Sequence, residues 1–277
     1  MSVDFHFASE DVDEHIQRIR ADVPIGQFNP TSLNKLVGGI YPGRYIIIEA
    51  EPGCGKTTLA CQIAVHATLA DFVVIVATLE IAPHQWVAKA HSILSARELS
   101  VNDIITNNKP WIFSQVNDVY RNTVAPNLVF SEGPMEPDDI AALVSDVKHS
   151  TDKPVLLIVD YLQVVSSNLA DERLAIKDIA YRLRKIANRE DIQVVAISSL
   201  NRNSYGKPPS VGSSCGSSAI EYSADVVLHL REAKTKDEHD TNNPLRPIEV
   251  LALKNRYGQK GIIQLLFDTE HATFLER

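Results

Sequence analysis

The stretch AEPGCGKTT at positions 50–58 constrains the fold of this chain more than any other. It has the spacing of a phosphate-binding loop, with Ala50 where the pattern usually opens on glycine and Gly55-Lys56-Thr57 closing it. Arg44–Glu49 (RYIIIE) before it reads as a buried strand, and Thr57–Leu69 after it reads as a helix. Gly53 and Gly55 allow the backbone to curl so that successive N–H groups face the β- and γ-phosphates of a nucleotide. The expected cradle is Ala50, Glu51, Pro52, Gly53, Cys54, Gly55, Lys56, Thr57 and Thr58. In it Lys56 adds positive charge at the phosphate oxygens and the Thr57 hydroxyl ligates magnesium. The helix N-terminus contributes its dipole. ATP with Mg2+ is the cofactor pair this loop predicts.

A strand that enters such a loop belongs to an open α/β sheet, and the rest of the chain agrees. Phe72–Leu79, Asn127–Phe130, Val155–Asp160 and Ile192–Ser198 are apolar runs without alternation, which suits parallel strands covered on both faces. Between them, Asp138–Lys148 and Glu172–Arg189 carry apolar residues at helical spacing. Alternating strands and helices predict a mostly parallel central sheet flanked by helices. Near the end, Asp225–Leu230, Ile248–Lys254 and Ile262–Asp268 follow one another without strong helices and predict antiparallel strands that extend the sheet. Residues 9–20 form a short polar helix with Val12, Ile16 and Ile19 on one stripe and Ser9 as its N-cap. So small a stripe must lie on the domain or on a partner chain. The division expected is a helix segment over 1–24 and one α/β domain over 25–277.

With 277 residues, 44% of them apolar, the chain can bury a substantial core. Its net charge of −8 argues against broad coating of duplex DNA, which needs many cations, but not against a narrow basic strip. Three cysteines, Cys54, Cys61 and Cys215, with no Cys-x-x-Cys pair, speak against zinc and disulfides and for a reducing, cytoplasmic setting. No apolar run is long enough to span a bilayer and the N-terminus lacks an apolar signal region, so no membrane partner is expected.

Ligands of open α/β sheets sit at the carboxyl ends of the strands. Val155–Asp160 ends in Asp160, a carboxylate suited to the outer shell of magnesium or to capping Tyr161 or a nearby loop. Phe72–Leu79 leads into Glu80, which fits either a base orienting the water that attacks the γ-phosphate or an exposed residue opening the next turn. Ile192–Ser198 runs into Ser199 and Asn201, which fit either a phosphate sensor or an ordinary loop start. The basic residues Arg182, Arg184, Lys185 and Arg189 read as a solvated helix face, and Trp86, Trp111 and the remaining histidines as core packing.

Taken in order, Gly26–Gly43, the phosphate loop, Ala77–Glu80, Val159–Val164 (VDYLQV), Ile197–Arg202 (ISSLNR), Ala219–Leu228 and Lys254–Gly261 (KNRYGQKG) are specific together. From about Ile25 onward the chain resembles the C-terminal ATPase domain of DnaB-type replicative helicases, a RecA-like family. The resemblance implies that Glu80 is the catalytic base and Asp160 the second magnesium carboxylate. It also implies that Lys254 and Arg256 reach the γ-phosphate of a neighbouring subunit. A homo-oligomer follows, expected as a hexameric ring, with the helix before Ala21 docking on the next subunit and single-stranded DNA and replication proteins as partners. The loop 203–218, with Arg202, Tyr205 and Lys207, is the expected DNA contact, although its composition equally suits a plain connector.

Three departures from the family pattern stand out. The family carries a domain ahead of the helix and this chain begins at the helix, so partner docking is expected to be lost or replaced. Ser199 stands where the family has glutamine, and Cys215 falls near a family arginine. Two functions remain open at this point. One is a motor that hydrolyses ATP at ring interfaces, translocates on single-stranded DNA and unwinds duplex. The other is an ATP-switched oligomeric scaffold, loader or regulator without unwinding.

Overall fold

The computed structural model describes residues 12–78, 80–167, 169–200, 205, 222–233 and 244–277; within these, nothing is said of the side chains of 14, 15, 172 and 173. Six apolar stretches pair side by side in parallel: β1 (Tyr45–Ala50), β2 (Val73–Thr78), β3 (Leu128–Glu132), β4 (Val155–Asp160), β5 (Gln193–Ser199) and β6 (Val226–Glu232). Three more, β7 (Leu245–Asn255), β8 (Ile262–Asp268) and β9 (Thr273–Glu276), continue the sheet antiparallel, in the order β3-β2-β4-β5-β1-β6-β7-β8-β9. The mostly parallel RecA-like α/β sheet with antiparallel C-terminal strands is as the sequence predicts. β9 is an addition, too short to show a pattern of its own.

Strands β1, β2 and β4 are buried at every position because helices cover both faces. On one face, Ile46, Ile48, Val74, Val76, Leu156 and Ile158 pack with α3 (Lys56–Leu69), α4 (Pro83–Leu94) and the β7–β9 hairpins. On the other, Ile47, Ile75, Leu157 and Val194 pack with α7 (Pro137–Ser150) and α8 (Glu172–Glu190) through Ile140, Val144, Ile179 and Leu183. The stretch after α4 forms two short helices, α5 (Val101–Thr106) and α6 (Pro110–Val119). Ser100 and Asp103 close a reciprocal capping box on α5.

The N-terminal helix α1 spans Val12–Ala21, and its stripe of Val12, Ile16 and Ile19 is exposed among the described residues. Its expected cap, Ser9, lies outside the described residues. A four-residue helix, α2 (Asn34–Val37), follows in the strap that leads to β1.

Three expectations need correction. Trp86 is buried against Phe130, but Trp111 is 66% exposed: it sits in the first turn of α6, a helix that buries only Val116. The histidines divide. His91 is buried between Phe113 and Tyr120, whereas His84 and His149 are exposed. On α8, Arg182 pairs with Asp138 and Arg189 with Glu190 at the surface, but Arg184 turns inward to the buried Asp225.

Candidate functional site

The loop between β1 and α3 bends through two left-handed glycines, Gly53 (φ 84°) and Gly55 (φ 87°). Open space surrounds Gly53, so only its conformation demands glycine there. At Gly55 space is also limiting: a Cβ would come within 2.8 Å of the Phe274 ring and 3.0 Å of Phe267. Those two rings stack at 4.7 Å and bring the β8–β9 hairpin against the loop. Gln62 of α3 fixes that hairpin, since its amide oxygen accepts from Phe274 N–H and its amide nitrogen donates to the Phe274 carbonyl. The C-terminal strands thus form one wall of the loop.

A cavity of about 820 Å3 opens over this loop, lined by Pro52, Gly53, Gly55, Lys56, Thr57 and Thr58. Lys56 Nζ donates to the carbonyls of Ala50 and Glu51, bracing the curl of the loop. Burial pulls its ammonium below the usual value, while Cys54, Glu80 and Asp160 oppose that shift. Cys54 is buried in the core beneath the loop and does not line the cavity.

Glu80 stands across the cavity, in the turn between β2 and α4. Thr78, the last residue of β2, donates its hydroxyl to the Ile81 carbonyl and tightens that turn. Glu80 is exposed, so it can meet a water or a ligand directly.

Asp160 ends β4 with no exposed surface, and neither carboxylate oxygen has a well-formed hydrogen bond; only the Thr57 hydroxyl approaches it. A buried carboxylate so sparsely partnered is costly in its charged form. Burial pushes it up to about 6, the charge of Glu80 adds to the rise, and Thr57, Lys56 and Lys89 hold it back. The arrangement can accept a divalent cation, which would supply the missing positive charge. The Thr57 hydroxyl is the neighbouring oxygen donor. Glycine cradle, lysine, hydroxyl and orphaned carboxylate together fit a magnesium-bound polyphosphate.

Three further groups join the site. Lys89 of α4 points its Nζ at Thr58 Oγ1, 3.5 Å away, and its charge is felt at Asp160. Tyr161 and Ser199 line the cavity. Gln163 clamps the end of β5: its amide nitrogen donates to Ser198 Oγ at 3.0 Å and its oxygen accepts from Ser199 N–H at 3.3 Å. The shorter Ser199 side chain is therefore accompanied by a glutamine that reaches β5 from the segment after Asp160.

Lys254 and Arg256 are elsewhere. β6 runs parallel to β1, with Val226 beside Ile46, and β7 returns antiparallel, with Asn255 beside Val226. The end of β7 therefore lies level with the start of β1, about 13 Å of strand from the phosphate loop. Lys254 Nζ donates to the Ala224 carbonyl, and Arg256, half exposed, donates to Asp225 Oδ1 at 3.1 Å. Asp225 is fully buried and also accepts from Tyr45 N–H and Arg184.

The model of the DnaB-like helicase C-terminal domain family matches residues 27–276. The chain belongs to that family. The replicative DNA helicase DnaB of Pasteurella multocida is 27% identical over 255 residues, covering 88% of this chain and 53% of that protein. The replicative DNA helicase DnaC of Bacillus subtilis is 27% identical over 259 residues, covering 88% of this chain and 55% of that protein. The chain thus spans about half the length of the curated relatives it matches. Among solved structures, an isolated ATPase domain superposes with a TM-score of 0.85 at 23% identity, covering 99% of this chain and all of that one. A DnaB-like replicative helicase, solved in work on its interactions with primase, superposes at 0.83 and 22%, covering all of this chain and 68% of that one. At these identities the two structures establish the fold.

In this DnaB-like domain, the sequence singled out the loop at 50–58, Glu80 and Asp160, and the structure places them close enough to interact. Lys89, Gln163 and Phe267 escaped it. Lys89 lies mid-helix with nothing local to set it apart, and Phe267 reaches the loop only through the returning hairpin. Of the expected nucleic-acid contacts, Tyr205 is exposed, while Arg202 and Lys207 lie outside the described residues. No helix among the described residues is long and apolar enough to cross a membrane.

Proposed function

We propose that this domain is the motor of a replicative helicase: a magnesium-dependent ATPase that hydrolyses ATP between subunits of a ring and moves along single-stranded DNA. The observation that carries this reading is the separation of the phosphate cradle from Lys254 and Arg256. Both sets of groups suit one phosphoryl-transfer site, yet they lie at opposite edges of one sheet. A head-to-tail ring joins the cradle of one subunit to the cations of the next. The exposed stripe of α1 supplies a second contact in such a ring.

Each residue then has a task. The loop N–H groups and Lys56 hold the β- and γ-phosphates, and the Thr57 hydroxyl with Asp160, acting through water, holds the metal. Magnesium, when bound, neutralises charge on the phosphate oxygens. Glu80 orients the attacking water and accepts its proton. Arg256 of the neighbouring subunit, with Lys254 beside it, meets the charge that develops on the transferred phosphoryl group. Tyr205, Arg202 and Lys207 belong to the segment between β5 and β6 that contacts the DNA strand. Gln163, gripping β5 just before that segment, links it to the Asp160 strand end. A primase, the partner of the structural relative, is the class of replication protein this domain would meet.

Steady-state ATP hydrolysis with and without single-stranded DNA, at low salt, tests this reading. Stimulation of about fivefold or more supports the motor. Turnover indifferent to DNA, with no strand bound, would instead assign the domain to an ATP-switched assembly protein.

A further inference from the structure

The segment carrying Arg256 is held by a stack of side chains at the N-terminal edge of the sheet. The Arg44 guanidinium lies between two aromatic rings, 3.4 Å from the centre of Tyr41 and 3.9 Å from the centre of Tyr257. Tyr257 is the residue after Arg256. The same guanidinium donates to both oxygens of Asp22, at 2.9 and 3.0 Å, and Asp22 immediately follows α1. Arg44 is buried although it is an arginine on a strap, so its planar group is held rather than solvated.

Its backbone is also fixed. The Arg44 carbonyl accepts from Val194 N–H and from the Gln193 amide, both at 2.9 Å. The next residue, Tyr45, donates its N–H to Asp225, the carboxylate that holds the Arg256 guanidinium. The Arg256–Tyr257 pair is therefore gripped at two points, Asp225 on one residue and the Arg44 stack on the other. Both grips are set on the entry to β1.

We infer that Arg44 is a positioning residue for Arg256, acting through Tyr257, and that it ties the orientation of that arginine to the root of α1. This rests on the reading of Arg256 as the cation given to a neighbouring subunit. A planar cation between two rings resists sliding in a way a flexible ammonium does not. A misplacement of about 1 Å at a group that meets developing charge is enough to slow turnover severely. Through Asp22, the root of α1 is tied to the segment that carries Arg256.

The test uses the assembled protein, four single variants, one double variant and Arg256→Ala as the control. Arg44→Lys keeps the charge and loses the planar stack, and Tyr257→Leu removes one ring. Both should lower kcat about tenfold. Affinity for a fluorescent ATP analogue, oligomeric state and melting temperature should stay at wild-type values. Tyr257→Phe, which keeps the ring, should turn over like wild type. Asp22→Asn should lower kcat modestly, and its effect should vanish in the Tyr257→Leu background, because both act through Arg44. Wild-type kcat in Arg44→Lys and Tyr257→Leu overturns the inference, provided Arg256→Ala is impaired in the same assay. Equal losses in Tyr257→Phe and Tyr257→Leu, or additive losses with Asp22→Asn, overturn it as well. Normal turnover in Arg256→Ala would instead remove the reading on which it stands.

Discussion

Two carboxylates in this sheet are fully buried and sit at strand ends, yet their surroundings are opposite. Asp225, at the edge where the parallel strands begin, accepts from Tyr45 N–H and pairs with Arg184 and Arg256. Asp160, at the edge where they end, has no well-formed hydrogen bond to either oxygen and only the Thr57 hydroxyl and two lysine charges near it. A buried charge that is fully paired organises structure, and removing it strands its partners. A buried charge so sparsely compensated is costly in the empty site and favours a cation. The same residue type thus builds a rigid mount at one edge and a receptive site at the other.

Neutralising each carboxylate should accordingly change stability in opposite directions. Asp225→Asn leaves Arg184 and Arg256 facing an uncharged amide, and should cost about 3–5 kcal/mol in urea-induced unfolding. A cost under about 0.5 kcal/mol would show that the arginines find other partners. Asp160→Asn should stabilise the metal- and nucleotide-free protein by about 1–3 kcal/mol at pH 7.5, while abolishing turnover. The sign follows from the carboxyl value of about 6 against 3.8 when unperturbed. Below pH 4 the group is protonated folded and unfolded alike and costs nothing. As pH climbs from 4 through 6 the unfolded chain ionises first, so stability falls, and the deficit persists above. Asp160→Asn should flatten that fall; an unchanged pH profile would mean that Asp160 is paired after all.

The two glycines of the loop sharpen the picture of the phosphate edge. Both need a left-handed backbone, so Gly53→Ala and Gly55→Ala should each lose about 1–2 kcal/mol. Gly55→Ala should lose about 1 kcal/mol more, because its methyl meets Phe274 and Phe267. Equal melting temperatures for the two variants would place the C-terminal hairpin away from the loop.

What the sequence disclosed follows the same division. The phosphate edge was legible because local pattern specifies it: a strand, two glycines, a lysine and a helix in sequence, and carboxylates at the ends of apolar runs. The opposite edge was not, because its contacts join residues far apart in the chain, such as Tyr45 with Asp225 and Arg44 with Tyr257. Arg184 read as a solvated helix residue for that reason; its partner lies 41 positions away. Trp111 read as core because composition shows that a tryptophan is large and apolar, but not that its position falls on the outward side of α6.

In the proposed ring, one working site is assembled from opposite edges of two subunits. Mixing two inactive proteins tests it most directly. Lys56→Ala disables the cradle and keeps the cations; Arg256→Ala disables the cations and keeps the cradle. Each alone should hydrolyse ATP at about one hundredth of the wild-type rate or less. Mixed and allowed to exchange subunits, they should regain turnover, because some interfaces join an intact cradle to an intact Arg256. A mixture that assembles but stays as inactive as its components would contradict the shared site.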